Sequence, residues 1–181
     1  MNFSFVCLDT ESSDLNGSFG HLFCAGFCDI NSDYVNMLRI DSDEYRGASL
    51  SDDSKLVAKI KEIMESAFAW VSWYGKMHDV PLINTRLAKA GLDPLVKRPH
   101  IDCLYYFRRP FMSLHSARLE AVAQTFRFKH QKTKLDPNTW VKAYEQNALA
   151  MDEVVAHCKE DVLALKEAFL LAVPHIGSIH R

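Results

Sequence analysis

The chain has 181 residues, 48% of them hydrophobic and 24% charged, with a formal net charge of −2. That length and balance predict one globular domain over residues 1–181, able to fold alone around its own core. No run of about 18 apolar residues offers a membrane span, and the N-terminus lacks the basic and apolar regions of an export signal, so a cytoplasmic protein away from membranes is expected.

The first segment, Phe3–Leu8, is apolar on both faces, as a central strand must be. It runs into Asp9-Thr10-Glu11. Residues i and i+2 of a strand share a face, so Asp9 and Glu11 project together at its C-terminal end. Two like charges held that close persist mostly where a cation neutralises them, and hard oxygen ligands suit Mg2+ or Mn2+. Ser12, Ser13, Asp14, Asn16 and Gly17 predict a turn. His21–Asp29 and Tyr34–Ile40 read as two further strands joined by a tight turn at Asn31, Ser32 and Asp33, a three-stranded antiparallel opening. Ser51, Asp52 and Asp53 supply an N-cap and an acidic first turn to a helix running to about Ala67, with Leu56, Ile60, Ile63 and Met64 at helical spacing. Ala69–Trp73 returns as a strand, and Leu82–Ala90 forms a helix capped by Gly91. Ile101–Phe107 is open between strand and helix. Leu114–Phe126 reads as helical, Pro137 opens another helix behind Asp136, and Met151–Ala172 forms a long last helix stopped by Pro174. This order predicts a mixed α/β sheet layered with helices.

Charge is unevenly spread. Residues 1–56 carry ten acids and three bases, whereas residues 97–142 carry ten bases and three acids. A basic block beside a carboxylate pair suits a phosphate-backbone substrate; simple packing of one block against the other is an equal reading. The loop Arg127–Leu135 concentrates Arg127, Lys129, His130, Lys132 and Lys134. The five scattered cysteines form no Cys-x-x-Cys pair and read as free, mostly buried thiols in a reducing compartment.

Two further carboxylates join the first pair. Asp79 lies just past the fourth strand, where Pro81 opens a helix and places Asp79 near its N-terminus; an ordinary N-cap is the plain alternative. Asp161 lies in the last helix, whose apolar stripe of Val155, Cys158, Val162, Leu165 and Phe169 puts it at a buried margin and leaves Glu160 solvated. His157 precedes Asp161 by four residues and shares its face, one turn earlier.

Asp9-Thr10-Glu11 ending the first strand, Asp79 after a Gly-Lys turn and His157-x-x-x-Asp161 on the last helix resemble the three motifs of the DEDD, or DnaQ-like, 3′–5′ exonuclease superfamily. The tail from Lys134-Leu135-Asp136-Pro137 to Asp161-Val162 is similar to stand-alone RNase H-like exonucleases and to proofreading domains of phage-type DNA polymerases. The resemblance spans nearly the whole chain. It implies a ribonuclease H-like α/β fold, with a five-stranded mixed sheet flanked by helices. It also implies hydrolysis of DNA or RNA from a free, single-stranded 3′ end by a two-metal mechanism using Mg2+ or Mn2+, with release of nucleoside monophosphates. Asp9, Glu11 and Asp161 then hold the metals, and Asp79 supports the second ion. Leu15 takes the place of an apolar residue that packs against the terminal base, or folds back onto the core. Tyr74, with Trp73, offers a face for base stacking or, as aromatics at a strand end usually do, packs into the core, and Lys132 and Lys134 offer phosphate contacts or lie on plain solvated surface.

Three features depart from the pattern. One branch of the superfamily has tyrosine four positions before the last Asp and the other has histidine five before it, so His157 has the identity of one branch and the spacing of the other. Its imidazole, with an ordinary pKa of about 6.5, suits it to orient or deprotonate the attacking water, or it is a polar residue at the pocket rim. Tyr74 and His78 stand where asparagine and phenylalanine are usual, and no polymerase or helicase domain accompanies the motifs. The contrasting function is a catalytically silent nucleic-acid end-binding module on the same fold, against which all four acids are present. A zinc hydrolase is a weaker rival, because the eight histidines form no His-x-x-His or His-x-x-x-His pair.

Overall fold

The computed structural model describes residues 5–131 and 133–177. Among them, β1 (Phe5–Ser12), β2 (Leu22–Asp29), β3 (Asn36–Arg39), β4 (Ala69–Ser72) and β5 (His100–Asp102) form one sheet in the order β3-β2-β1-β4-β5. The central strand is β1, antiparallel to β2 and parallel to β4, as its two apolar faces require. The predicted hairpin is present, with the Asp29 carbonyl accepting the Ser32 amide at 3.0 Å, although β3 begins at Asn36 rather than Tyr34.

The helices are α1 (Ser54–Ser66), α2 (Asp79–Lys89), α3 (Leu119–Phe126), α4 (Pro137–Tyr144) and α5 (Ala148–Ala172). Alternation along β1 divides the core between them. Val6 and Leu8 pack with Leu56, Ile60 and Met64 of α1 and with Leu82 and Ile83 of α2. Cys7 packs with Val122 of α3 and with Val162, Leu165 and Phe169 of α5. Each such leucine or phenylalanine, fully buried, stabilises the fold by about 1.5–3 kcal/mol. Gly26, paired with Asp9 on β1, lets α5 lie close to the sheet: a Cβ there would fall 2.8 Å from Val162 Cγ2 and 3.4 Å from Cys158 Sγ. The helix carrying His157 and Asp161 is thereby brought down beside the strand carrying Asp9.

Several local expectations are corrected. Asp53 makes no cap bond to α1; it is buried against Arg86 at 2.7 Å, and Asp52 Oδ1 instead accepts the Ser54 amide at 3.1 Å. The helix expected from Leu114 begins at Leu119, because Arg118 is extended and its amide donates to the Ser116 hydroxyl at 3.2 Å. Such side-chain bonds compete with helix formation. The ambiguous aromatic segment is both kinds of structure, a strand to Asp102 and then a 3-10 turn over Cys103–Phe107. Similarly, α2 starts at Asp79, ahead of Pro81, and Asn147 caps α5 by accepting the Ala150 amide at 3.2 Å. All five cysteines are free and buried, and no helix among the described residues is long and apolar enough to cross a membrane.

One buried group makes the fold acid-sensitive. His100 on β5 lies with Nε2 2.7 Å from the Ser72 hydroxyl, and burial pushes its pKa down to about 4. Its folded-state value is below its unfolded value, so its neutral form stabilises the fold fully above about pH 6.5, and about 3 kcal/mol is lost as pH falls toward 4. Urea midpoints of wild type and His100→Asn, followed from pH 7 to pH 4.5, should therefore converge as the solution is acidified. A parallel decline would place the acid sensitivity elsewhere.

Candidate active site

The pleat of β1 sends Asp9 and Glu11 toward α5 and Thr10 toward α2. On α5, His157 and Asp161 stand one turn apart on the buried face, Asp161 being only 2% exposed. His157 Nε2 lies 3.6 Å from Glu11 Oε1 and 3.9 Å from Asp161 Oδ2. One ligand atom each from Glu11, His157 and Asp161 falls within 4.8 Å of the others. Asp9 and Asp161 also line a cleft of about 480 Å3, shared with Trp73, Tyr74, Leu104 and Arg118.

Asp79 arrives from the other face of the sheet. It is the first residue of α2, is 3% exposed, and accepts the Thr10 hydroxyl at Oδ1 at 2.6 Å. Burial pushes its carboxyl above the ordinary carboxylate range, and the Thr10 bond opposes that rise. The structure thus gathers Glu11, His157 and Asp161, sets Asp9 beside Asp161 on the cleft, and holds Asp79 against Thr10. Between two acids Thr10 carries no chemical signal of its own; the strand's period of two is the signal that sends it to the opposite side.

A second residue escaped sequence reasoning altogether. Asp102 Oδ1 accepts the amides of Tyr74 (2.8 Å) and Leu104 (3.3 Å), and its Oδ2 accepts that of Lys76 (3.2 Å). Burial raises its pKa and those three bonds lower it again in part. The parallel pairing of Ser72 with Asp102 brings it to the turn, and no local spacing signals that. It restrains Tyr74 at φ 65°, a left-handed conformation costing roughly 1–2 kcal/mol for a residue with a Cβ. The next residue must be glycine: a Cβ at Gly75 would fall 2.4 Å from Ser72 Oγ and 3.0 Å from Asp79 Oδ2. Gly75→Ala should lower stability by about 1–3 kcal/mol. An unchanged urea midpoint for that variant would show that the turn yields freely.

Leu15 is 77% exposed, in a turn beside Met77, His78 and Pro81, so it does not fold back onto the core. Lys134 Nζ lies 3.5 Å from Glu120 Oε1, and Glu120 lines the same cleft as Asp9. Lys132 lies outside the described residues. Glu160 is not simply solvated, because its Oε2 meets His130 Nδ1 at 2.9 Å. Glu167 accepts the amides of Lys129 and His130 at 2.9 Å each, which fastens the basic loop to α5.

Carboxylate oxygens suit Mg2+ and Mn2+, and an imidazole nitrogen suits transition ions, so Glu11, Asp161 and His157 with Asp9 alongside fit a divalent cation. Among curated proteins, none matches the chain by sequence. The chain shares its fold with the family B DNA polymerase of the hyperthermophilic archaeon Pyrobaculum calidifontis, at a TM-score of 0.72 and 14% identity over 95% of its length. It spans only 25% of that polymerase. A family model described as the RNase_H superfamily matches residues 6–170, and with the five-stranded mixed sheet and its flanking helices this establishes that the chain belongs to the RNase_H superfamily.

Proposed function

We propose that this protein is a divalent-metal-dependent 3′–5′ exonuclease, a single domain that shortens DNA or RNA from a free, single-stranded 3′ end and releases nucleoside monophosphates. Membership of the RNase_H superfamily supports a nuclease. The observation that carries the finer reading is the convergence of Glu11, His157 and Asp161 within 4.8 Å, next to Asp9 on an open cleft. The likeness to a DNA polymerase supports nucleic acid as the substrate.

In this reading Asp9, Glu11 and Asp161 would hold two Mg2+ or Mn2+ ions, with Asp79 supporting the second from its place against Thr10, and the ions when bound would polarise the scissile phosphate and help ionise water. The chain's own contribution is placement. Thr10 holds Asp79, Asp102 holds the turn that leads to it, and His157 completes the catalytic group from α5. Leu15, exposed beside His78, packs against the terminal base, and Tyr74 with Trp73 offers aromatic faces for stacking. Lys134, with Lys132, holds phosphates. Five buried free thiols suit the cytoplasm.

The test is a gel time course on 5′-labelled single-stranded DNA and RNA of one sequence, with Mg2+, Mn2+ or EDTA. A ladder shortening from the 3′ end only in the metal lanes is expected, and the faster substrate names the preferred sugar. Intact substrate in every lane, with a mobility shift still seen, would replace the enzyme by an end-binding module on the same fold.

A further inference from the structure

We propose that His157 is itself a metal ligand through Nε2, oriented by Thr133 as a positioning residue, and that the resulting mixed nitrogen–oxygen site favours Mn2+ over Mg2+. This rests on the metal-dependent reading above. Ligand atoms about 2.1 Å from a shared octahedral ion stand roughly 3 Å apart in cis and about 4.2 Å apart in trans. The Nε2 separations of 3.6 Å to Glu11 and 3.9 Å to Asp161 match neither spacing but lie within about 1 Å of the cis one, and both are too long for a direct hydrogen bond. A small rotation of the side chains would let one ion join the ring to both carboxylates.

The other ring nitrogen sets the tautomer. Nδ1 lies 2.7 Å from Thr133 Oγ1. With the proton on Nδ1 donated to that hydroxyl, the Nε2 lone pair faces Glu11 and Asp161, as coordination requires. Trp140 meets the ring edge-on, with centroids 6.4 Å apart and planes at 86°, so packing also restrains its rotation. Thr133 is delivered by the loop that Glu160 and Glu167 fasten to α5. One helix therefore carries both the ligand and the anchors of the loop that orients it. A nitrogen donor shifts affinity toward first-row transition ions, whereas Mg2+ prefers oxygen throughout.

Pulsed EPR of Mn2+ on the full chain reads the nitrogen coupling of a directly bound imidazole. Wild type should show that coupling and His157→Gln should lose it. Titration should show Mn2+ affinity falling about tenfold or more in Thr133→Val, with Mg2+ affinity moved less and Thr133→Ser restoring the wild-type value. Bound Mn2+ without nitrogen coupling, or coupling that survives His157→Gln, would overturn the ligand role while a metal-dependent ladder leaves the exonuclease standing. An unchanged Mn2+ affinity in Thr133→Val would overturn the positioning role even if His157→Gln failed to fold. Absence of both Mn2+ binding and the ladder would remove the exonuclease, and this inference with it.

Discussion

Asp161→Ala is expected to abolish turnover while leaving the protein folded. Asp161 is one of the three side chains that converge on the candidate metal position, and metal ions at such sites supply several kcal/mol of transition-state stabilisation. Each 1.36 kcal/mol is a factor of ten, so the rate should fall by about 10^3-fold or more. The fold should tolerate the change for separate reasons. Its neighbours Val162, Leu163 and Leu165 keep α5 in the core, alanine is the best helix former, and a buried carboxylate that is expensive to desolvate is removed. The thermal midpoint should therefore hold or rise. A purified variant that keeps its midpoint and much of its exonuclease rate would contradict the site.

The largest loss of stability is expected at Arg86. Its guanidinium donates to Asp53 Oδ1 at 2.7 Å with both side chains nearly buried, 9% and 2% exposed. It also donates to the carbonyls of Gly20 (2.7 Å) and Gly17 (3.3 Å). Arg86→Ala strands the Asp53 carboxylate in the core, a change that costs about 3–5 kcal/mol. For a chain of this size that is a fall in thermal midpoint of roughly 6–20 °C. Activity should decline too, because the same guanidinium ties the turn carrying Leu15 to the helix that begins with Asp79. Asp53→Leu/Arg86→Met should recover part of the loss by leaving no unpaired buried charge. Because Asp53 Oδ2 also accepts the Leu22 amide at 2.9 Å, a double variant as unstable as the single one would assign the loss to the pair's backbone bonds rather than to the stranded charge.

Arg86 and Asp53 also show where sequence reasoning stops. In the chain Asp53 stands directly ahead of an amphipathic helix, the usual place of a cap, and nothing near it announces a partner in another helix. Leu114 failed as a helix start for a comparable reason. The apolar spacing is present, yet Ser116 closes a local turn that outcompetes the first helical bonds.

Whatever depends on local period is legible in the residues alone: the strand that turns Asp9 and Glu11 to one side, the alternation of strands and helices, and the helix face shared by His157 and Asp161. Those follow from spacings of two and four residues, which backbone geometry converts directly into direction. Long-range folding alone brings Thr10 to Asp79, Asp102 to the turn before it, and Thr133 to His157. Each of these bonds joins residues more than twenty positions apart. Their meeting depends on the sheet order β3-β2-β1-β4-β5 and on how closely α5 settles over Gly26, and both arise from burying the whole core at once.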